Sequence, residues 1–480
     1  GKVFMIALFI LVPFILLLIL NLPFKFLKAQ IAFWLSGALF LTQSLLVLMH
    51  PWLAWGNYPA ALGRFLVFKL WLDPLALIML FTIGVVVFVS LLVGKSTIST
   101  EKRSFNFINL LLVSFIGMNA TVLAADIFSL YVFVEITAVA VFVLMAIEKN
   151  RFAIEGTFKY LVLSMLASIF ILTSIAFFIL AAGEVSFAGI HNAFLVNSNI
   201  VLLNFAVALF LCGLFIKCGV VPFHGWVPDA YSEAQSAVSV LLSGIATKIT
   251  GVYVLMRLFS SVFVLKDSFH NIIMLIGVIS IVLAALAAFR QNNIKRMLSY
   301  SSISQVGYIV LAIGCATPLA ILGAILHFFN HAIFKSLLFV NAASLEKKFG
   351  STDMSIITGL GNQLPVTSGT WLVGLLSTAG IPPLSGFWSK LIIIIALFNA
   401  QRFTYGWIAL LASVLTLGYF LFMERNVFFI KTEATLVDKG GVSFGLKFCE
   451  VLLAAITIGV GLGFPFILNS QILQLKGFLH

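Results

Sequence analysis

Charge is what this chain has least of. Only 9% of its 480 residues are Asp, Glu, Lys or Arg, whereas 62% are hydrophobic. Soluble domains carry about 25% charged residues, so that class is excluded. Cysteine is scarce too: Cys212, Cys218, Cys315 and Cys449 form no CxxC pair and none of the spacings of zinc, haem or iron–sulfur ligation. No metal site is expected, and the four thiols read as packing residues in helices. Acidic residues number 16 against 28 Lys+Arg, a net charge of +12. In a soluble protein that excess suggests nucleic acid, but there is no basic stripe interleaved with aromatics, so no nucleic-acid partner is expected. The first apolar run is long enough to span a bilayer and lacks a small-residue cleavage site, which argues against a cleavable signal.

What the chain does have is phenylalanine, 49 of them, and one apolar run after another. The runs are about 20 residues long, the length that crosses a hydrocarbon core, so the chain reads as one polytopic all-α membrane domain embedded in a lipid bilayer. Turn and charge signals divide it into about 14 spans, at 3–21, 30–49, 73–94, 105–124, 126–147, 157–181, 199–221, 235–262, 271–290, 294–314, 319–342, 366–397, 404–430 and 446–468. Asp73 before Pro74, and Asp126, read as helix N-caps. Most Lys and Arg fall in the loops between spans 1–2, 3–4, 5–6, 9–10, 11–12 and 13–14. That side is expected to be cytoplasmic, which places both termini on the outer side of a cell (inner or plasma) membrane.

Four lysines and one glutamate fall inside spans rather than between them: Lys217, Lys248, Lys335, Lys390 and Glu135. Each costs about 2.5 to 3.5 kcal/mol at the bilayer centre, so they are expected to share a hydrated interior. Glu135 lies in "FSLYVFVEITAV" with apolar neighbours on both sides; it reads either as a structural ion pair or as the partner that sets an intramembrane lysine's proton affinity. Lys217 precedes Pro222, which leaves a helical carbonyl unpaired and suggests a local cavity, with snorkelling to the interface as the rival. Lys248 sits in "LLSGIATKITGVYVLMR", with Gly244 and Gly251 permitting close helix approach, and is too deep to snorkel easily. His327, His331 and Lys335 recur every four residues and share one helix face, each step rising about 6 Å, a gap suited to bridging water. A histidine pair with no nearby carboxylate or cysteine is a weak zinc signal.

Lys390 follows "AGIPPLSGFWS", where Pro382, Pro383 and Gly386 break the twelfth span. Displaced by 161 residues, Ala379–Gly386 aligns with Cys218–Gly225, matching both glycines and one proline. Five spans separate the two copies, an odd number, so they are expected in opposite orientations, as in inverted transporter repeats with broken helices.

Four stretches, "KCGVVPFHGWVPDAYSEAQSAVSVLLSGIATK", "NNIKRMLSYSSISQVGY", "HFFNHAIFKSLLFV" and "AGIPPLSGFWSK", together resemble the antiporter-like membrane subunits of respiratory complex I, membrane-bound hydrogenases, formate hydrogenlyases and multisubunit sodium/proton antiporters. The resemblance implies peripheral spans at 1–104, inverted five-helix repeats at 105–262 and 271–430 with broken helices 7 and 12, and a last span within 446–480. It implies a proton path of Glu135, Lys217, Lys248, His327, His331, Lys335 and Lys390; Pro222, His224, Asp229, Pro382 and Pro383 are the candidate entrance or helix-break residues. The chain departs from the family pattern at Gln235–Ser236–Ala237, where many relatives read Pro-Thr-Pro, and at Val134, where they often carry Trp.

A lysine that releases protons near neutrality needs its pKa of about 10.4 lowered by about 3 units, which burial can supply. Separation of Glu135 from Lys217 is expected to drive a proton toward Lys248, and onward by the His331 and Lys335 region to Lys390. No flavin, nicotinamide, iron–sulfur or quinone motif is evident, so no cofactor is expected. The expected function is proton translocation in a multisubunit redox-driven complex, its energy arriving from further antiporter-like and redox subunits. The rivals are a sodium/proton antiporter subunit driven by an ion gradient, a structural subunit with an inactive channel, and a stand-alone solute transporter.

Overall fold

The computed structural model describes residues 2–22, 29–49, 56–62, 66–196, 199–360, 363–429 and 441–468. Nearly all of them are helical, because a backbone in lipid must satisfy its polar groups within the segment. The helices are α1 (Lys2–Leu20), α2 (Ala29–Leu48), α3 (Pro74–Thr97), α4 (Glu101–Leu123), α5 (Ile127–Met145), α6 (Arg151–Ala182), α7 (Phe187–Leu195), α8 (Ile200–Cys218), α9 (Trp226–Glu233) and α10 (Ser236–Leu241). Two π-helical segments, Leu242–Ala246 and Lys248–Tyr253, lead into α11 (Val254–Ser261). There follow α12 (Asp267–Phe289), α13 (Ile294–Cys315), α14 (Pro318–Phe349), α15 (Pro365–Ala379), α16 (Ser385–Asn399), α17 (Phe403–Glu424) and α18 (Phe444–Leu468).

Twelve helices among the described residues are long and apolar enough to cross a membrane. The two other expected spans coincide with α1 and with the pair α15 and α16, whose apolar stretches are shorter. The twelfth is interrupted at Gly380–Leu384, so neither half spans alone. The seventh, expected to reach residue 221, ends at Cys218. Gly219 follows in the left-handed region (φ +65°), and no N–H at Pro222 is available to continue the ladder. The eighth span is not regular α-helix but carries the π turns around Lys248, a departure that hydrophobic periodicity does not reveal. A hairpin absent from the sequence reading pairs β1 (Gly56–Leu62) antiparallel with β2 (Leu66–Leu72), in register from Gly56 opposite Leu72 to Leu62 opposite Leu66. Both acidic caps form: Ala76 N–H donates to Asp73 at 2.7 Å and Ser129 N–H to Asp126 at 2.7 Å. Residues 469–480, part of the expected C-terminal segment, lie outside the described residues.

Packing divides the chain into two compact units. Gly1–Leu91, Ile98–Cys218 and Ile245–Leu265 form the first. In it α6 lies along α8, tied by Ser174 Oγ donating to Ala206 O at 2.6 Å. A buried amide pair holds α1 to α4: Gln43 Nε2 donates to Leu80 O (2.9 Å), and Asn119 Nδ2 to Gln43 Oε1 (2.7 Å) and Phe9 O (2.9 Å). The second unit comprises Leu92–Thr97, Gly219–Gly244 and Lys266–His480, with α13 and α14 buried at its centre. Large apolar side chains face outward along the helices, Phe158 at 65% and Val201 at 80% exposure among them. On a soluble protein such a surface would aggregate; in a bilayer it is the lipid-facing wall.

Candidate functional site

In the first unit, Lys217 ends the buried face of α8 and Glu135 lies on α5. Lys217 Nζ donates to Glu135 Oε1 at 2.9 Å and to Ser164 Oγ on α6 at 3.3 Å, while Ser168 Oγ donates to the same carboxylate oxygen at 2.7 Å. The lysine side chain is 3% exposed and the glutamate 27%. The amine therefore does not snorkel; its charge is held by a carboxylate that itself borders the unit's surface. Lys248 is 2% exposed and starts the second π segment. Gly251, one turn on, lets that segment press against the α8 backbone: a Cβ there would lie 2.8 Å from Cys218 N and 2.9 Å from the Lys217 carbonyl carbon. The π turns and Lys217 are thus packed against one another through a residue with no side chain.

The second unit collects the remaining predicted residues. Lys335 is fully buried on α14 and donates to Ser301 Oγ (2.7 Å) and Leu298 O (3.2 Å) on α13, with the Phe420 ring 5.6 Å from its ammonium. His327 and His331 stack with centroids 6.2 Å apart and planes within 6°, as their shared helix face requires. His327 Nδ1 is 2.9 Å from Ser389 Oγ on α16. Lys390, 3% exposed, donates to Thr378 O at 2.7 Å and sits 4.6 Å from the Tyr308 ring centroid. The partner follows from the break: four residues beyond Thr378 stands Pro382, which has no N–H to offer that carbonyl. The ammonium takes the missing donor's place at the C-terminus of α15, where the helix dipole favours a cation.

Both predicted breaks are built alike. Gly219 and Gly380 (φ +87°) each close a helix in the left-handed region, and the Val221–Pro222 and Pro382–Pro383 bonds are both cis. The Val221 N–H freed at the first break is taken by Ser280 Oγ at 3.0 Å. Pro222, Pro382 and Pro383 are exposed, and His224 is half-buried with its ring 6.3 Å from that of Tyr300 in an edge-type contact. Asp229 is engaged in an ion pair with Arg296 at 2.5 Å. At the turn before the eighth span, Gln235 caps α10 by accepting from Ala237 N–H at 2.7 Å. Of the cysteines, Cys218 and Cys449 are buried, but Cys212 is exposed on the outward face of α8, contrary to the packing role expected of all four.

Sequence reasoning missed several buried charges. Arg257, 1% exposed, grips Asp73 with both terminal guanidinium nitrogens (Nη2 to Oδ1, 2.9 Å), donates from Nε to Tyr253 O–H (2.9 Å) and lies 4.8 Å from the Trp71 ring centroid. Tyr253 in turn donates to Val122 O at 2.7 Å. Arg257 stands near a span end, where a basic residue reads as a topology signal. Glu450, fully buried on α18, accepts from Ser344 (2.6 Å) and Thr367 (3.1 Å). Its sequence signal is a carboxylate six residues into α18, at the head of a long apolar run.

Residues 124–416, more than half of the chain, match the family described as NADH:quinone oxidoreductase/Mrp antiporter, TM. The chain belongs to this family. It is 32% identical to an Na(+)/H(+) antiporter subunit of Alkalihalophilus pseudofirmus over 75% of this chain and 73% of that protein. It is 29% identical to an NADH-quinone oxidoreductase subunit of Desulforudis audaxviator over 98% of this chain and 95% of that one. Among solved structures it superposes on a chain of the membrane-bound sulfane sulfur reductase, an archaeal respiratory membrane complex, with a TM-score of 0.87 and 25% identity, covering 100% of this chain and 98% of that chain.

Proposed function

We propose that this chain is the proton-translocating antiporter-like subunit of a multisubunit, redox-driven membrane complex, working beside other membrane subunits and carrying no redox centre of its own. The observation that carries this reading is the Lys217–Glu135 pair. An ammonium 3% exposed, 2.9 Å from a carboxylate on another helix, is a charge whose retention depends on its counterion. Movement of Glu135 away from Lys217 removes that counterion and expels the proton. Lys248 is the next basic group in the first unit; in the second, Lys335, His331, His327 and Lys390 form the corresponding set. The repeats at 105–262 and 271–430 and the placement of both termini on the outer side belong to the same proposal, supported by the matching breaks at Gly219 and Gly380 and by the basic loops.

Near-complete alignment with a quinone oxidoreductase subunit favours the redox-driven reading. The 32% identity to an Na(+)/H(+) antiporter subunit favours a second, in which an ion gradient drives exchange. A native complex purified through a tag on this chain and reconstituted into liposomes separates them. Acidification of the lumen on adding reductant and quinone supports the first, and acidification only on imposing a sodium gradient supports the second. Under either drive, an assembled Lys248→Ala complex is expected to move no protons; normal transport by it would overturn the reading.

A further inference from the structure

The stretch "NNIKRMLSYSSISQVGY" contributes Ser301 to the Lys335 site, yet its one lysine has no role in the proton path proposed so far. Lys295 is 2% exposed and lies 2.6 Å from Glu346 Oε2, whose side chain is 41% exposed. Ser236 donates to the same carboxylate oxygen, and Lys295 also reaches Ala234 O at 3.4 Å. The construction repeats that of Glu135 and Lys217: a buried amine, a carboxylate open to the surface, and a serine hydroxyl on the carboxylate.

The antiparallel run of α13 and α14 extends this pair into a chain of contacts. Lys295 faces Glu346, Leu298 and Ser301 hold Lys335, and Tyr308 meets His327 with ring centroids 5.8 Å apart. These pairs fall in one register, so a single polar seam runs from the half-exposed carboxylate of Glu346 to the buried histidines. Gln305, on the stretch of α13 between Ser301 and Tyr308, is fully buried, and neither of its amide atoms has a protein hydrogen-bond partner among the described residues; the same holds for Ser302 Oγ. Buried polar atoms of this kind are ordinarily satisfied by water, which the seam is polar enough to hold. Lys295 stands three residues, about 4.5 Å of helix rise, from the Leu298 carbonyl that binds the Lys335 ammonium.

We propose that the Lys295–Glu346 pair is the proton-loading mouth of the second unit, passing protons from the aqueous side along the α13–α14 seam to Lys335. Glu346 takes a proton from water. The Lys295 ammonium gives its own proton inward, through the Ser301 hydroxyl and seam water, to Lys335 in its neutral amine form, and Glu346 then reprotonates Lys295. Each step breaks one N–H or O–H bond and forms another, and no further reactant is needed.

The inference rests on the proposed function, and proton movement by the reconstituted native complex, read with a pH-sensitive dye under the drive that supports the wild type, tests the two separately. Lys295→Arg keeps the charge and the ion pair but cannot release a proton, whereas Lys295→His can release one. A carrier role predicts that Lys295→Arg assembles yet loses at least about tenfold in rate, and that Lys295→His outperforms it. A purely structural pair predicts the reverse order. If Lys248→Ala stops transport while Lys295→Arg transports at the wild-type rate, this inference falls and the functional reading stands; if Lys248→Ala transports normally, the functional reading itself falls. Should Lys295→Arg fail to assemble, Glu346→Gln decides: a tenfold loss supports the mouth, and wild-type transport overturns it.

Discussion

Neutralising Glu135 should destabilise the chain, and removing Lys217 as well should restore much of what is lost. At the 2.9 Å separation seen here, two unit charges attract by about 6 kcal/mol at an effective dielectric of about 20. The carboxylate's 27% exposure and its bond to Ser168 screen and share that attraction, leaving an expected cost of about 2 to 4 kcal/mol for Glu135→Gln. Lys217→Met should cost less, about 1 to 2 kcal/mol, because the orphaned carboxylate borders the surface and can hydrate whereas an orphaned ammonium cannot. The double variant removes both charges from the interior, and its stability should lie above that of Glu135→Gln, so that the coupling exceeds the cost of about 1 to 2 kcal/mol for Lys217→Met alone. Denaturant titration of the detergent-purified complex, followed by a probe local to the α5–α8 contact, measures all three. Additivity of the two single effects to within about 0.5 kcal/mol would refute the reasoning, since independent sites add in that way.

Three further outcomes are expected. Gly251→Leu drives a side chain into the backbone at Lys217 and Cys218 and should lower stability by at least about 3 kcal/mol, seen as loss of the assembled complex on native gels, with Gly251→Ala milder. Asp73→Asn keeps a good N-cap on α3 but strands the Arg257 guanidinium, so a cost of about 3 to 5 kcal/mol in thermal unfolding, rather than the few tenths expected of a cap exchange, assigns the effect to the ion pair. Lys390→Met leaves the Thr378 carbonyl without its donor and should cost about 1 to 3 kcal/mol and abolish proton transport in liposomes; an assembled variant that still transports would remove Lys390 from the path.

Much of this architecture is legible along the chain because a bilayer imposes local rules. Apolar length marks the spans, Gly and Pro mark the breaks at 219–222 and 380–383, and the cost of a charge in hydrocarbon singles out Glu135, Lys217, Lys248, Lys335 and Lys390. The i, i+4 spacing of His327, His331 and Lys335 is enough to put them on one face of α14. Other features rest on pairings that no local period encodes. Arg257 and Asp73 are 184 residues apart, and each has an adequate local explanation, one as a basic residue near a span end and the other as a cap. Lys295 and Glu346 lie near span ends, where basic and acidic residues are ordinary, and only the register of α13 against α14 makes them a pair. The π turns around Lys248 pack closely against α8, an approach that Gly251 permits but does not demand. The sequence by itself determined which residues must leave water and which of those carry a cost; the tertiary structure decided how each cost is met, because counterions and hydrogen-bond donors come from helices distant in the chain, and their meeting depends on packing rather than on composition.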